Sequence, residues 1–394
     1  MAALATPIVS VVIPCYNYGA YVEDAIRSCL RSTWQDLEIL VVDDGSTDPE
    51  TERVLKELNF PKTRVIHQEN KGLPAARNRG IREAAGRYIL PLDADDTIHP
   101  TLIEKALILL EAHPGLGFAS FWLRHFGDED WVWMPPPFNF ATLLDDNIVT
   151  VASLFRKAAW EEVGGYNEAM RQGYEDWDFW ISLAKWGWIG RQIPEPLFNY
   201  RRHGHTMVHE AHKKRETLVA QLRANHPGLY GPSPLASLRR RWQPRLLKAK
   251  RQLFTQATWR RHPLMGMNSC PVEPQPAVRG LVAVNPSLAE LESWKALRTV
   301  RALTVVMTEA QPLEVLEALE TVTTDHFVLS HYLPPADFAT AIVQLASRRH
   351  AEAILLAEGP LQEALERYGR DEIRLMVGTA LTEFVATFQE ASHG

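Results

Sequence analysis

The chain has 394 residues, 46% of them hydrophobic, and a formal net charge of −6. That length makes two domains the natural expectation, and the acidic balance argues against a general nucleic-acid binder. The three cysteines, Cys15, Cys29 and Cys270, are odd in number and far apart; they suggest neither a disulfide framework nor a zinc site and fit a reducing, cytoplasmic setting.

Strands and helices alternate from the start. Ile8–Ile13 is a β-branched run that reads as a buried strand. Tyr21–Arg31 has helical spacing through Val22, Ala25, Ile26 and Leu30, and Leu37–Val42 is a second buried strand. A helix is expected over Glu50–Leu58, a short strand over Arg64–His67, and a helix over Leu73–Ala85 with Gly86 as its C-cap. Arg87–Leu92 is the next strand, and the helix Leu102–Ala112 is stopped by His113-Pro114-Gly115. Trp131–Pro137 reads as an aromatic, proline-rich loop, Ile148–Phe155 as a strand, Asp176–Lys185 as a helix rich in aromatics, and Leu197–Arg201 as a short strand. Strands alternating with helices of this length imply a mostly parallel sheet with helices on both faces. No apolar run reaches the roughly 18–20 residues needed to span a bilayer, and Met1–Pro7 has no basic segment ahead of an apolar core. A cytoplasmic chain is expected, at most held peripherally at the inner face of a membrane.

From about Glu210 the composition shifts. A basic stretch runs from Arg239 to Arg261, and Pro271–Pro276 reads as a linker. The basic stretch suits a solvated helical connector or a contact with an anionic membrane surface or polyanionic acceptor. A second α/β pattern follows, with strands at Leu281–Val284, Leu303–Met307, His326–Leu329 and Ala353–Leu356 and helices at Leu313–Thr321, Ala336–Ser347 and Leu361–Tyr368. The expected domains are residues 1–230, a connector at 231–276, and a smaller C-terminal α/β domain at 277–394. That last domain has no glycine-rich loop after Leu303–Met307 and no acidic cluster behind its strands, which points to a recognition, assembly or degenerate role.

The chemistry concentrates where strands end. The strand Arg87–Leu92 runs straight into Asp93, Asp95 and Asp96. Unpaired carboxylates cannot enter a core, and the carboxyl edge of an α/β sheet is where ligands bind. Three hard oxygen donors within four residues suit Mg²⁺ or Mn²⁺, which fills its shell with substrate phosphates; a solvated acidic turn is the plain alternative. Pro14-Cys15-Tyr16-Asn17 follows the first strand. Asp43-Asp44-Gly45-Ser46-Thr47-Asp48 follows the second, and Asp43 and Asp44 are placed to accept hydrogen bonds from a nucleobase imide or ribose. Gly72 to Asn78 opens a helix, where the helix N-terminus and Arg77 favour phosphate. Glu175-Asp176 precedes an aromatic helix, and a carboxylate in such partly desolvated surroundings is tuned as a general base or, more plainly, caps the helix. His203 lies beside Arg201, Arg202 and His205, suited to a metal shell or a diphosphate. Trp131 and Trp133 are candidates for stacking an acceptor sugar; Trp177, at helical spacing with Trp180, is a weaker one that reads first as core.

Taken in order, Val9 to Asn17, Val41 to Asp48, Gly72 to Asn78, Leu92 to Asp96, and Glu175-Asp176 resemble the motifs of family 2 glycosyltransferases over about residues 7–210. The resemblance implies a GT-A fold, a Rossmann-like, mostly parallel nucleotide-diphospho-sugar transferase sheet, and inverting, metal-dependent transfer of a sugar. It implies Pro14, Tyr16, Asn17, Asp43, Asp44, Arg77 and Asp93 in the nucleotide pocket, and Asp93 and Asp95 as a DxD pair holding Mn²⁺ or Mg²⁺. Asp95 is then the foremost ligand, with the register to Asp96 open and His203 closing over the diphosphate. Asp176 is the implied base, supported by Glu175. The implied partners are a nucleotide-sugar donor, in the first instance a UDP-sugar, and a glycan, lipid-linked or protein-linked acceptor in bacterial surface polysaccharide or glycoconjugate synthesis. Nucleic acid is not among them, and self-association is compatible. The rival readings are a sugar-nucleotide nucleotidyltransferase, which would carry a lysine in the loop after its first strand where this chain has Cys15-Tyr16-Asn17-Tyr18-Gly19, and a non-catalytic sugar-nucleotide-binding scaffold.

Overall fold

A computed structural model describes residues 7–204, 207–230, 280–286, 303–356, 360–367 and 374–377. The basic stretch Arg239–Arg261, the linker Pro271–Pro276, His205 and Cys270 lie outside the described residues. The described chain divides into two compact units: one from residues 7–31, 36–102, 113–204 and 207–230, the other from 32–35, 103–112 and the residues from 280 onward.

The elements run β1 (Val9–Cys15), α1 (Gly19–Leu30), β2 (Leu37–Asp43), α2 (Pro49–Glu57), β3 (Thr63–His67), α3 (Leu73–Glu83), β4 (Tyr88–Pro91), β5 (Thr97–Ile98), α4 (Leu102–Ala112), β6 (Leu116–Gly127), β7 (Trp131–Trp133), α5 (Phe140–Asp145), β8 (Leu154–Arg156), α6 (Lys157–Val163), α7 (Glu175–Lys185), β9 (Ile189–Arg202), α8 (Met207–Lys213), α9 (Arg215–Asn225) and α10 (Pro227–Tyr230). The first unit's sheet is ordered β3-β2-β1-β4-β8-β6-β9-β5, with β7 alongside β6. The expected parallel plan holds across β3-β2-β1-β4. Beyond β4 the sheet is mixed: β8 is antiparallel to both β4 and β6, β6 runs parallel to β9, and β5 is antiparallel to β9.

β1 is buried along its whole length, as a strand covered on both faces requires, which is why its β-branched run shows no alternation. Trp177, Phe179, Trp180, Phe155 and Phe118 pack with Val12, Leu40 and Ile89 in one core. Three local expectations change. α3 stops at Glu83 with an extended Ala84 as its C-cap, so Gly86 serves a different need: a Cβ there would lie 2.6 Å from the Ser10 backbone nitrogen. Trp131–Trp133 is a strand paired with Leu123–His125 rather than a loop. Within the expected strand Ile148–Phe155 only Leu154 and Phe155 join the sheet, because Ser153 turns back, its hydroxyl donating to the Thr150 carbonyl at 2.6 Å.

Gly86→Ala is expected to cost about 1–3 kcal/mol, since backbone rather than a movable side chain occupies the space. A lower urea midpoint with unchanged slope checks this; an unshifted midpoint contradicts the close approach.

Among the described residues the second unit carries a five-stranded, wholly parallel sheet. Its order is β12 (His326–Val328), β11 (Leu303–Met307), β10 (Gly280–Val284), β13 (Ala351–Leu356) and β14 (Arg374–Val377). It also holds α11 (Leu313–Val322), α12 (Phe338–Arg348) and α13 (Pro360–Arg367). The strands and helices expected there all form, and β14 is an addition.

Candidate active site

Because β1, β2 and β4 are parallel neighbours, the loops after them meet at one sheet edge. Asn17 sits in the left-handed region at φ 60°, where an asparagine is tolerated. Its side-chain oxygen accepts from the Thr47 and Asp48 nitrogens at 2.8 and 3.0 Å, clamping the first loop to the second. Asp43 accepts from the Ser46 nitrogen at 2.9 Å and meets His67 Nδ1 at 2.9 Å. Burial raises its carboxyl, but the His67 and Ser46 hydrogen bonds prevail and hold it below its ordinary value. Asp44 is buried and takes three donors: Gln68 Nε2 at 2.7 Å, and the Lys71 and Gly72 nitrogens at 2.8 Å each. It thereby fixes the turn that opens α3, where Gly72 stands at φ 89°.

Arg77, in the first turns of α3, is 1% exposed. Its two terminal nitrogens go to different carboxylates, Asp93 Oδ1 at 2.6 Å and Glu175 Oε1 at 2.5 Å. The guanidinium also lies over the Tyr166 ring.

The turn after β4 brings Asp95 and Asp96 against the end of β9. β5 makes this possible by pairing antiparallel with β9, Thr97 opposite Asn199. Asp96 is fully buried: Oδ1 accepts from the Arg201 nitrogen at 2.8 Å, and Oδ2 has no hydrogen-bond partner among the described residues. Arg201 Nε donates to the Asp95 carbonyl at 2.8 Å. The chain then delivers His203, whose Nε2 meets Asp95 Oδ2 at 3.0 Å while its ring packs on Tyr21. Burial, and next the charge of Asp93, pushes the Asp95 carboxyl up; burial and both neighbours push Asp96 up much further. This crowding of carboxylates, with one buried oxygen unpartnered, is an environment a cation relieves. Asp95 and His203 form a hard oxygen and imidazole pair that fits Mn²⁺ or Mg²⁺ completed by substrate oxygens and water. Among the described residues no three His, Cys, Asp or Glu side chains gather into a full protein shell.

At the start of α7, Tyr174 is held in the left-handed region at φ 62°, preceded by Gly173 at φ 117°. This bend separates the two acids that follow it. Glu175 turns inward to Arg77. Asp176 remains part-buried; its Oδ2 accepts from Asn147 Nδ2 at 3.1 Å and its Oδ1 from the Trp177 nitrogen at 2.8 Å. Burial and the Glu175 charge push its carboxyl up to about 7.

The loops and helix starts that carry these groups surround one cavity of about 800 Å³. Pro14, Tyr16, Asp44, Arg77, Asp93, Asp95, Glu175 and Asp176 line it; Asn17, Asp43, Asp96 and His203 are outside the lining. Trp131 and Trp133 line the same cavity. Trp131 is 47% exposed, stacked on His125 with ring centroids 3.9 Å apart, and its Nε1 donates to Glu129. Glu129 in turn takes Arg202 at 2.9 Å, so the indole is fixed before any ligand arrives. Trp177 touches the cavity but is 1% exposed and donates to the Leu143 carbonyl, and Trp180 is core. Asn147, His125 and Arg215 are lining residues no motif announced; each is an ordinary residue type in an unmarked stretch, brought in by tertiary structure.

Residues 10–170 match the family model described as glycosyl transferase family 2. Over that stretch the first unit is similar to family 2 glycosyltransferases. Its sheet is parallel across β3-β2-β1-β4 and mixed beyond, with the acidic turn directly behind β4. The chain is 32% identical over 206 residues to the chondroitin synthase of Escherichia coli, covering 50% of this chain and 29% of that protein. It is 28% identical over 234 residues to the hyaluronan synthase of Pasteurella multocida, covering 57% of this chain and 24% of that one. It therefore spans less than a third of these relatives' length. The structure of S. aureus TarS in complex with UDP-GlcNAc aligns over 58% of this chain and 68% of that chain at 17% identity, with a TM-score of 0.47. No described helix is long and apolar enough to cross a membrane.

Proposed function

We propose that the first unit is a metal-dependent inverting glycosyltransferase that moves a sugar from a nucleotide-diphosphate donor, in the first instance a UDP-sugar, to a hydroxyl of a glycan or glycoconjugate acceptor. The observation that carries this is the single cavity whose wall holds both the Asp93–Asp95 turn and Asp176. A pure binding protein has no use for a near-neutral carboxyl beside a second acidic cluster. Surface polysaccharide or glycoconjugate synthesis, at the cytoplasmic side of a membrane, is the setting this reading favours.

The donor nucleotide takes the β1 and β2 side, against Pro14, Tyr16 and Asp44. Asp95 and His203 would hold a divalent cation, with Asp93 facing the same diphosphate. When bound, that cation supplies Lewis-acid neutralisation of the leaving diphosphate's charge. Arg202, which lines the cavity, adds positive charge on that side. Asp176 accepts the proton of the acceptor hydroxyl as that oxygen attacks the anomeric carbon from the face opposite the diphosphate. Asn147 and the Trp177 nitrogen hold the carboxylate still during the transfer. One displacement inverts the anomeric configuration.

The fixed Trp131 face is the acceptor platform. Trp131→Ala is expected to raise the acceptor KM about tenfold, equal to ~1.4 kcal/mol of lost contact, with the donor KM within about twofold of wild type. Initial rates with each substrate varied in turn check this; a rise confined to the donor KM contradicts it.

A further inference from the structure

We propose that Arg77 is a positioning residue that ties the Asp93 turn to the catalytic helix and sets the placement and charge surroundings of Asp176, rather than gripping the donor. This rests on the reading of Asp176 as the base. The sequence suggested a phosphate ligand, an arginine at a helix start. The geometry differs. The side chain is 1% exposed, and both terminal nitrogens are committed to carboxylates from separate parts of the chain. The Arg77–Glu175 pair joins residues 98 apart in sequence, and its third nitrogen is buried without a partner among the described residues. A guanidinium suits this task because its planar fork serves two acids at once, which an ammonium does not.

The consequence falls on Asp176. Two adjacent carboxylates at the head of α7 repel each other, and Arg77 offsets the Glu175 charge from the α3 side. The charged and titratable groups around Asp176 are Glu175 on its own helix, Arg77 from α3 and Tyr166 from the loop after α6. Asp146, beside Asn147, is paired with Arg215 of α9. Of these, Arg77 and Glu175 act in opposite directions on the Asp176 carboxyl.

The test follows kcat against pH, donor Kd by calorimetry, and the Asp176 carboxyl directly by ¹³C NMR, assigned with Asp176→Asn. In Arg77→Met the acid limb of kcat is expected to rise by about one unit, the low end for loss of a neighbouring opposite charge. Glu175→Gln should lower it, and the double variant should return it to within about half a unit of wild type. Arg77→Lys should keep the limb but lose kcat, because one ammonium does not hold both acids. Donor Kd should stay within about threefold throughout, under ~0.7 kcal/mol. A merely structural arginine would lower kcat at every pH with the limb unmoved. An unmoved limb in Glu175→Gln overturns the proposal even if Arg77→Met does not fold. So does a donor Kd weakened more than about tenfold in Arg77→Lys with the limb unmoved. The NMR titration needs no turnover: if it responds to these substitutions in a protein that transfers no sugar, the coupling stands and the reading of Asp176 as base is what fails.

Discussion

Asp176→Asn is expected to bind the donor as wild type does and to lower transfer by about a hundredfold to ten-thousandfold, the usual worth of a general base. The amide fills the same space and keeps an oxygen for the Trp177 nitrogen; it gives up the hydrogen bond from Asn147 Nδ2, a local loss away from the nucleotide side. What disappears is the proton acceptor. In the wild type the carboxyl stands at about 7. It is protonated and inactive below that pH and becomes competent as pH rises through it, so kcat should fall on the acid side with a limb near 7. Calorimetry for donor binding and a pH series of initial rates separate these statements. Full activity in the variant, or a rate flat from pH 5 to 8 in the wild type, contradicts the role.

Chelation is expected to lower turnover at least a hundredfold, and Asp95→Asn to do the same with Mn²⁺ present, as a Lewis acid contributes several kcal/mol of charge stabilisation. Asp95 is the residue to change because it alone of the acidic turn both lines the cavity and faces His203. Asp93 is tied to Arg77, and Asp96 faces the Arg201 backbone. Asp96→Asn should therefore act through the end of β9, disturbing His203, and should be accompanied by lower stability, whereas Asp95→Asn should not. Unchanged rates in excess EDTA would overturn the metal's place in the reaction.

Much of this site was legible as a set of residues. The strand-end loops carry unusual densities of Asp, Gly and Asn, and parallel strands have to bring such loops to one edge. The contacts were not legible. Nothing in Asn17 announces that its amide clamps Thr47 and Asp48, because that depends on a left-handed backbone. Arg77 reads as a phosphate ligand until Asp93 and Glu175 are seen on either side of it, one of them from far along the chain. β6 and the full length of β9 carry no plain strand signature because they join a mixed region of the sheet. There Pro194 and Pro196 fall near register shifts that a regular alternation does not show. Trp131 reads as part of a loop because the prolines after it mask a short strand pairing.

The most direct measurement is an NMR-monitored incubation of the protein with Mn²⁺, α-linked UDP-, GDP- and dTDP-sugars and a set of sugar acceptors, following the anomeric signals. A new β-glycosidic bond with release of the nucleoside diphosphate, absent in Asp176→Asn, is the expected result. Retention of the α configuration, or conversion of the donor to sugar 1-phosphate and nucleoside triphosphate when pyrophosphate is added and no new glycosidic bond otherwise, would contradict it.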